Sequence, residues 1–292
     1  VVSEGSVLSD NKPAGDGYFT EQQTPYVRLS IRVRELLHAE QTQYQSLKVW
    51  QTTDQGRMLT LDEVIQLAEA DDFTYHEMMA HVPLTMHPAP RRCLVIGGGD
   101  GGVVTEVMRH SQVERCTLVD IDEAVVRAGK TWFPRVSAGY QDPRAEIVVG
   151  DGILHVREHI DTYDAIMCDS TDPIGPAVGL FAADFYRSVY NSMKAPGVFN
   201  QQVGSPFYAA DFIRRTVAAA RSVFDSVHLY VGVVPTYPGG YWCYLLGTKG
   251  EIDLRPDVAR AAAVQGKYYS AGVHQGAFQL PPFVAALLGA GT

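Results

Sequence analysis

Four short apolar runs, each closed by an aspartate and the first three each followed by a helical stretch, constrain this chain more than any other feature. Cys93-Leu94-Val95-Ile96 runs into Gly97-Gly98-Gly99-Asp100-Gly101-Gly102, and Cys116-Thr117-Leu118-Val119 ends at Asp120. Glu146-Ile147-Val148-Val149 is followed by Gly150-Asp151-Gly152, and Ala165-Ile166-Met167-Cys168 by Asp169-Ser170-Thr171-Asp172-Pro173. Helical periodicity follows the first three, over Val103 to His110, Glu123 to Trp132 and Ile153 to about His159. Strands that alternate with helices predict a parallel sheet covered on both faces. Asp71 to His81 reads as a preceding helix anchored by Phe73, Met78 and Met79. Val198–Gln201, Ser226–Tyr230 and Trp242–Leu246 supply further strands.

Upstream the rhythm differs. Ser46 to Gln51 alternates polar with apolar, and Arg57 to Leu61 follows a turn at Asp54-Gln55-Gly56, a hairpin pattern. The expected division is a Ser/Gly/Asp-rich disordered tail over residues 1–17, a small antiparallel β domain over 18–70 and an α/β domain over 71–292.

Charge narrows the partners. Asp and Glu total 33 against 24 Lys and Arg, a formal net charge of −9, which repels nucleic acid and anionic membrane surfaces and attracts cations. No apolar stretch is long enough to span a bilayer. Cys93, Cys116, Cys168 and Cys243 lie far apart with no metal-ligand spacing, and the nine histidines show no paired-ligand pattern. The expectation is therefore buried free thiols, a reducing cytoplasm and no metal.

Ligands of a parallel α/β sheet bind beyond the carboxyl ends of its strands, which is where the aspartates fall. Any one of them is accounted for as a helix cap or turn residue. Four in succession on one sheet edge are costly unless a cationic ligand offsets them. Gly97, Gly99 and Gly102 satisfy the dinucleotide spacing, with Asp120 about 20 residues on. Asp100 argues against a pyrophosphate there, because a carboxylate in the loop repels it. A glycine loop holding an acid suits a positively charged nucleoside such as S-adenosylmethionine or a relative. Asp120 is placed for its ribose hydroxyls, and Asp151 with Gly152 for its adenine.

The segments YHEMMAHVPL (75–84), VIGGGDGG (95–102), GDG (150–152), DSTDPIGP (169–176) and PTYPGG (235–240) resemble spermidine synthases, the polyamine aminopropyltransferases. LDEVIQLAEAD (61–71) and YYSAGVHQGAFQLP (268–281) are also similar to family segments. The resemblance runs from about Tyr18 to Phe283. It implies a Rossmann-like class I methyltransferase fold behind an N-terminal β domain, and a homodimer or homotetramer. The implied reaction moves an aminopropyl group from decarboxylated S-adenosylmethionine, a co-substrate rather than a cofactor, to putrescine. By the same resemblance, Gln45, Asp120, Asp151, Gly152, Pro176, Gly97 and Gly99 hold the nucleoside, and Asp100 holds the donor's amino group. Asp169 accepts the proton with Tyr75 and Tyr237 orienting the amine. His76, Asp100, Asp169, Asp172, Gln66, Gln202 and Tyr237 line the acceptor site.

Two departures from the family pattern bear on this. Asp120 stands where many relatives have Glu, and Gly204 where some have a Glu that binds the far amine. Cadaverine, agmatine or a triamine therefore stay open as acceptors, and an S-adenosylmethionine-dependent methyltransferase is the nearest alternative function.

Overall fold

The computed structural model describes residues 17–171 and 175–289, with the backbone alone at Gly175 and Pro176. The expected tail over 1–16, Asp172 and the Pro176 side chain lie outside the described residues. The chain forms two compact units that meet in sequence between Ala68 and Glu69.

The first unit is a five-stranded antiparallel sheet in chain order, β1 (Tyr18–Thr24), β2 (Val27–Gln41), β3 (Ser46–Thr52), β4 (Arg57–Leu61) and β5 (Val64–Ala68). Alternation puts Phe19, Ile31, Val33, Trp50, Met58 and Ile65 together in its core. The Glu21 carboxylate accepts the Ile65 backbone N–H at 2.9 Å, which ties β1 to β5.

The second unit opens with helix α1 (Asp72–Met86), followed by β6 (Arg92–Gly97), α2 (Gly102–Met108), β7 (Arg115–Asp120) and α3 (Glu123–Trp132). After β8 (Ala145–Val149) come α4 (Gly152–Glu158), β9 (Tyr163–Asp169), α5 (Ala183–Ser192) and β10 (Met193–Gly204). Helix α6 (Ala210–Arg221), β11 (Ser226–Val233) and β12 (Tyr241–Lys249) complete the sheet, and short helices α7 (Val258–Ala263), α8 (Ala271–Ala277) and α9 (Pro282–Ala285) follow. The sheet order is β11-β12-β10-β9-β6-β7-β8. β10, β9, β6, β7 and β8 are parallel to one another, and β12 alone is reversed. The expected mostly parallel sheet is present, with the antiparallel insertion near one edge. Chain order changes direction between β6 and β9, so the crevice for a ligand opens there.

Helix α1 runs to Met86, beyond the expected end at His81, and carries Pro83 in its interior. It is buried on nearly every face, so the usual amphipathic stripe is missing. Proline cannot donate to the carbonyl four residues back. That carbonyl, on Met79, instead accepts the side-chain amide N–H of Asn200 on β10 at 2.9 Å, and the Met78 carbonyl accepts Tyr230 Oη–H at 3.0 Å. Asn200 thus satisfies the acceptor that the proline leaves open, and Tyr230 adds a bond to the carbonyl before it. Buried Glu77 takes three amide N–H groups from the C-terminal segment, Lys267 at 2.8 Å, Tyr268 at 2.8 Å and Tyr269 at 2.7 Å. All four cysteines are free and buried. No helix among the described residues is long and apolar enough to cross a membrane.

Candidate active site

The site lies in the second unit where β6 and β9 part. Gly97 and Asp169 are register partners at the carboxyl ends of these strands. The glycines after β6 make room for side chains rather than for phosphate. A Cβ at Gly98 would sit 2.5 Å from Asp169 Oδ2, and one at Gly99 2.7 Å from Asp120 Oδ2. At Gly102 it would lie 2.2 Å from the His76 ring. The spacing that resembles a dinucleotide fingerprint therefore lets two carboxylates and an imidazole approach the loop. Gly97 and Gly98 also have positive φ, which a side chain at either position would strain.

Asp169 accepts a hydrogen bond from Tyr75 Oη at 2.6 Å. The Tyr75 ring packs against those of Tyr237 and Tyr244, with centroids 5.5 and 5.8 Å away. Beside Tyr75 on α1, His76 has Nε2 at 3.5 Å from Asp100 Oδ1 and Nδ1 at 3.7 Å from Asp72 Oδ2. Asp100 is held by the Gly102 N–H at 2.7 Å. At the end of β7, Asp120 accepts the Gly99 N–H at 2.9 Å and the Asp122 N–H at 2.8 Å. Its backbone carbonyl receives the Gly150 N–H, which brings the Asp151-Gly152 turn alongside.

Burial dominates the electrostatics. It pushes Asp169 up to about 7, with the neighbouring Asp100 charge adding to the rise while His76 and Tyr75 oppose it. It also raises Asp100, and lifts Asp120 to about 6 against the backbone bonds that favour its charged form. Burial alone would lower His76, yet Asp100, Asp72 and Asp169 together outweigh it and hold the imidazole at about 9. His76 is thus a buried cation among carboxylates.

His76, Asp100 and Asp169 each offer an atom within 4.8 Å of the others, close enough to surround one metal ion. The ring does not fit that role. Both nitrogens face carboxylates, which favours a proton on each, and an imidazolium has no lone pair for a metal. The paired carboxylates of Asp100 and Asp169 have the chemistry to hold an organic cation.

Gln202, on β10, donates from Nε2 to the Ser170 carbonyl at 3.0 Å beside Asp169, and its buried Oε1 has no partner among the described residues. Asp151 caps α4 through Oδ1, accepting Ile153 N–H at 2.7 Å, so the cap reading of this residue applies. Tyr237 ends the turn after β11 and packs on Trp242 at 4.9 Å. Gln45 precedes β3 and Gln66 lies on β5, both half-buried within the first unit. The structure therefore gathers Tyr75, His76, Gly97, Gly99, Asp100, Asp120, Asp169, Gln202 and Tyr237 at one sheet edge. Two residues escaped the sequence reading, Asp72 and Arg135, whose Nη2 lies 2.8 Å from Asp72 Oδ1. The spacing of Asp72 four residues before His76 was the signal available for the first. Arg135 carried none.

Comparison with known proteins agrees with this geometry. Residues 72–256 match the model of the spermine/spermidine synthase domain, and residues 17–69 that of the spermidine synthase tetramerisation domain. A polyamine aminopropyltransferase of Moorella thermoacetica is 50% identical over 93% of this chain and 96% of its own length. One of Caldicellulosiruptor bescii is 44% identical over 93% and 98%. Among solved structures, a spermidine synthase in complex with the transition-state analogue AdoDATO superposes with TM-score 0.91 at 35% identity, covering 96% of this chain and 97% of its own. The spermidine synthase of Thermotoga maritima gives 0.90 at 35% identity with the same coverage. The chain belongs to the spermine/spermidine synthase family of aminopropyltransferases.

Proposed function

We propose that this enzyme transfers the aminopropyl group of decarboxylated S-adenosylmethionine to putrescine, giving spermidine and 5′-methylthioadenosine. The observation that carries the reading is the half-buried Asp169, bonded to Tyr75, raised to about 7 and set beside a second acid, Asp100.

The donor's sulfonium is already a good leaving group, so the chemistry calls for neither metal nor cofactor. The amine is the obstacle. A primary alkylamine titrates near 10.4, and only its neutral form has a lone pair. As that nitrogen attacks the carbon bonded to sulfur, the C–S pair moves to sulfur and the sulfonium becomes a thioether. The amine's proton passes to Asp169. An ordinary carboxylate near 3.9 would be mismatched to the amine by about 9 kcal/mol. A base at about 7 reduces the mismatch to about 5 kcal/mol. Tyr75 and Tyr237 orient the nitrogen, and alignment of amine and carbon supplies much of the rate.

Asp100 would take the donor's ammonium. Ordinary S-adenosylmethionine would bring a carboxylate beside that acid, so the decarboxylated donor is preferred. Asp120 accepts from the ribose hydroxyls, Asp151 and Gly152 meet the adenine, and Gln45 and Pro176 complete the nucleoside site. Gln202, whose Oε1 has no partner among the described residues, joins His76, Asp172 and Gln66 along the acceptor. Gly204 has φ +91°, so its backbone is in a conformation that disfavours the Glu of some relatives. The far amine must then find another partner, which keeps cadaverine, agmatine and triamines in the assay panel. A homodimer or homotetramer through the first unit, in a reducing cytoplasm, fits the matched tetramerisation domain and the four free thiols.

The test is incubation with decarboxylated donor and each amine, measuring methylthioadenosine and the new polyamine. Asp169→Asn should lower turnover by orders of magnitude with a modest loss of donor binding. No spermidine from the wild type, or near-normal turnover in the variant, would sink the proposal.

A further inference from the structure

We infer that Asp72 and Arg135 are positioning residues for this reaction, fixing the His76 ring as a cation beside Asp100 and Asp169 so that Asp169 stays available as a base near neutral pH. The inference rests on the function proposed above and extends it to groups that touch neither substrate.

The geometry is a chain of alternating charges running outward from the site. Asp100 Oδ1 faces His76 Nε2 at 3.5 Å, and His76 Nδ1 faces Asp72 Oδ2 at 3.7 Å. Asp72 Oδ1 accepts from Arg135 Nη2 at 2.8 Å, and the same nitrogen reaches the Glu69 carbonyl at 3.1 Å. The Asp72 and His76 side chains are each 4% exposed, whereas that of Arg135 is 59% exposed. A buried carboxylate without a cation is costly; the His76 ring first, and the Arg135 guanidinium after it, keep Asp72 ionised where it can hold the ring. Gly102 closes the other side, since the ring occupies the space of its missing side chain.

Among the described residues, three acids weigh most on the ring. Asp72 faces it from its own helix, Asp100 from the loop after β6 and Asp169 from the end of β9. Asp169 in turn feels Asp100 and Asp120, which raise it, and His76 and Tyr75, which lower it. Arg135 feels Asp72, Glu69 and Glu106. A neutral His76 would leave three acids facing one another. Asp169 would then hold its proton to higher pH and be unable to receive another from the amine.

The experiment pairs two readouts on the full-length enzyme. Histidine-labelled NMR, with the His76 signal identified by its loss in His76→Gln, follows ring protonation directly. The pH profile of kcat/KM, from methylthioadenosine release, follows the base. In Asp72→Asn the ring should titrate about two pH units lower, and the acidic limb of kcat/KM should move up by about one. Activity should fall about eightfold at pH 6.5 and less than about threefold at pH 9. Arg135→Gln, at an exposed position that spares the fold, should move both readouts the same way by less, and Arg135→Lys should restore them. A ring titration unchanged in both variants overturns the inference. So does a uniform loss of activity with the limb in place, which is what a merely structural role gives. A wild-type enzyme that releases no methylthioadenosine strikes instead at the proposed function, and the ring titration still reports on the positioning.

Discussion

Replacing Tyr75 with phenylalanine removes one oxygen and leaves the ring packing against Tyr237 and Tyr244 in place. That oxygen donates to Asp169 Oδ1 at 2.6 Å, a short bond to a group that works as an anion. Bonds of this kind contribute roughly 1.5–3 kcal/mol, or about one to two pH units at 1.36 kcal/mol each. The sign follows from the charge. Tyr75 stabilises the carboxylate, so its loss raises Asp169 from about 7 toward about 8 or 9. A base must be deprotonated to act, so kcat/KM rises with pH up to that value and levels above it. At pH 7 the fraction of ionised Asp169 should fall from about one half to between a tenth and a hundredth. At pH 9.5 most of that difference should vanish. Amines titrate near 10.4, so the acceptor keeps its charge across the lower limb, and the limb belongs to the enzyme. The assay is methylthioadenosine release at low substrate from pH 6 to 9.5. A pH-independent loss, from poorer orientation of the amine, would lower the whole profile without moving it. An unmoved limb in Tyr75→Phe, or a wild-type limb below pH 5, would refute the reasoning about Asp169.

Gly102→Ala should force the His76 ring aside, because the new methyl would lie 2.2 Å from it. Overpacking of this kind costs about 1–3 kcal/mol, and activity should drop as well; an unchanged melting temperature and turnover would contradict the account. Asn200→Ala should cost about 1–3 kcal/mol by leaving the buried Met79 carbonyl unsatisfied. Pro83→Ala restores an N–H four residues beyond that carbonyl, so the double variant should lose less stability than the two single losses added together. Strict additivity in denaturant melts would break the link between the proline and the asparagine.

The α/β rhythm was legible because buried parallel strands are written as apolar runs with glycine or aspartate at their ends. The position of the site followed from the same pattern, since ligands of such sheets bind at those ends. The extent of α1 was not legible. Pro83 reads as a stop, and what makes it tolerable is a tertiary partner, Asn200, 121 residues from the Met79 carbonyl that it satisfies. β10 likewise extends over Met193–Gly204 although Pro196 sits inside it, and the apolar pattern marked only its central part. The direction of β12 is a property of its connections, which residue pattern does not record. Within the site, carboxylates could be placed on an edge but not paired. That Asp151 caps a helix while Asp169 bonds a tyrosine depends on geometry beyond spacing. Arg135 lies 63 residues from the acid it supports, and nothing local marks it.

Glu77 follows Tyr75 and His76 on the same turn of α1, and its carboxylate holds the amides of residues 267–269. Those amides can exchange with solvent only when the carboxylate lets go. Deuterium uptake at Lys267, Tyr268 and Tyr269 is therefore a gauge, read far along the chain, of how often the helix bearing Tyr75 and His76 loosens. A ligand that steadies this helix should slow exchange at all three positions together, without having to touch any of them.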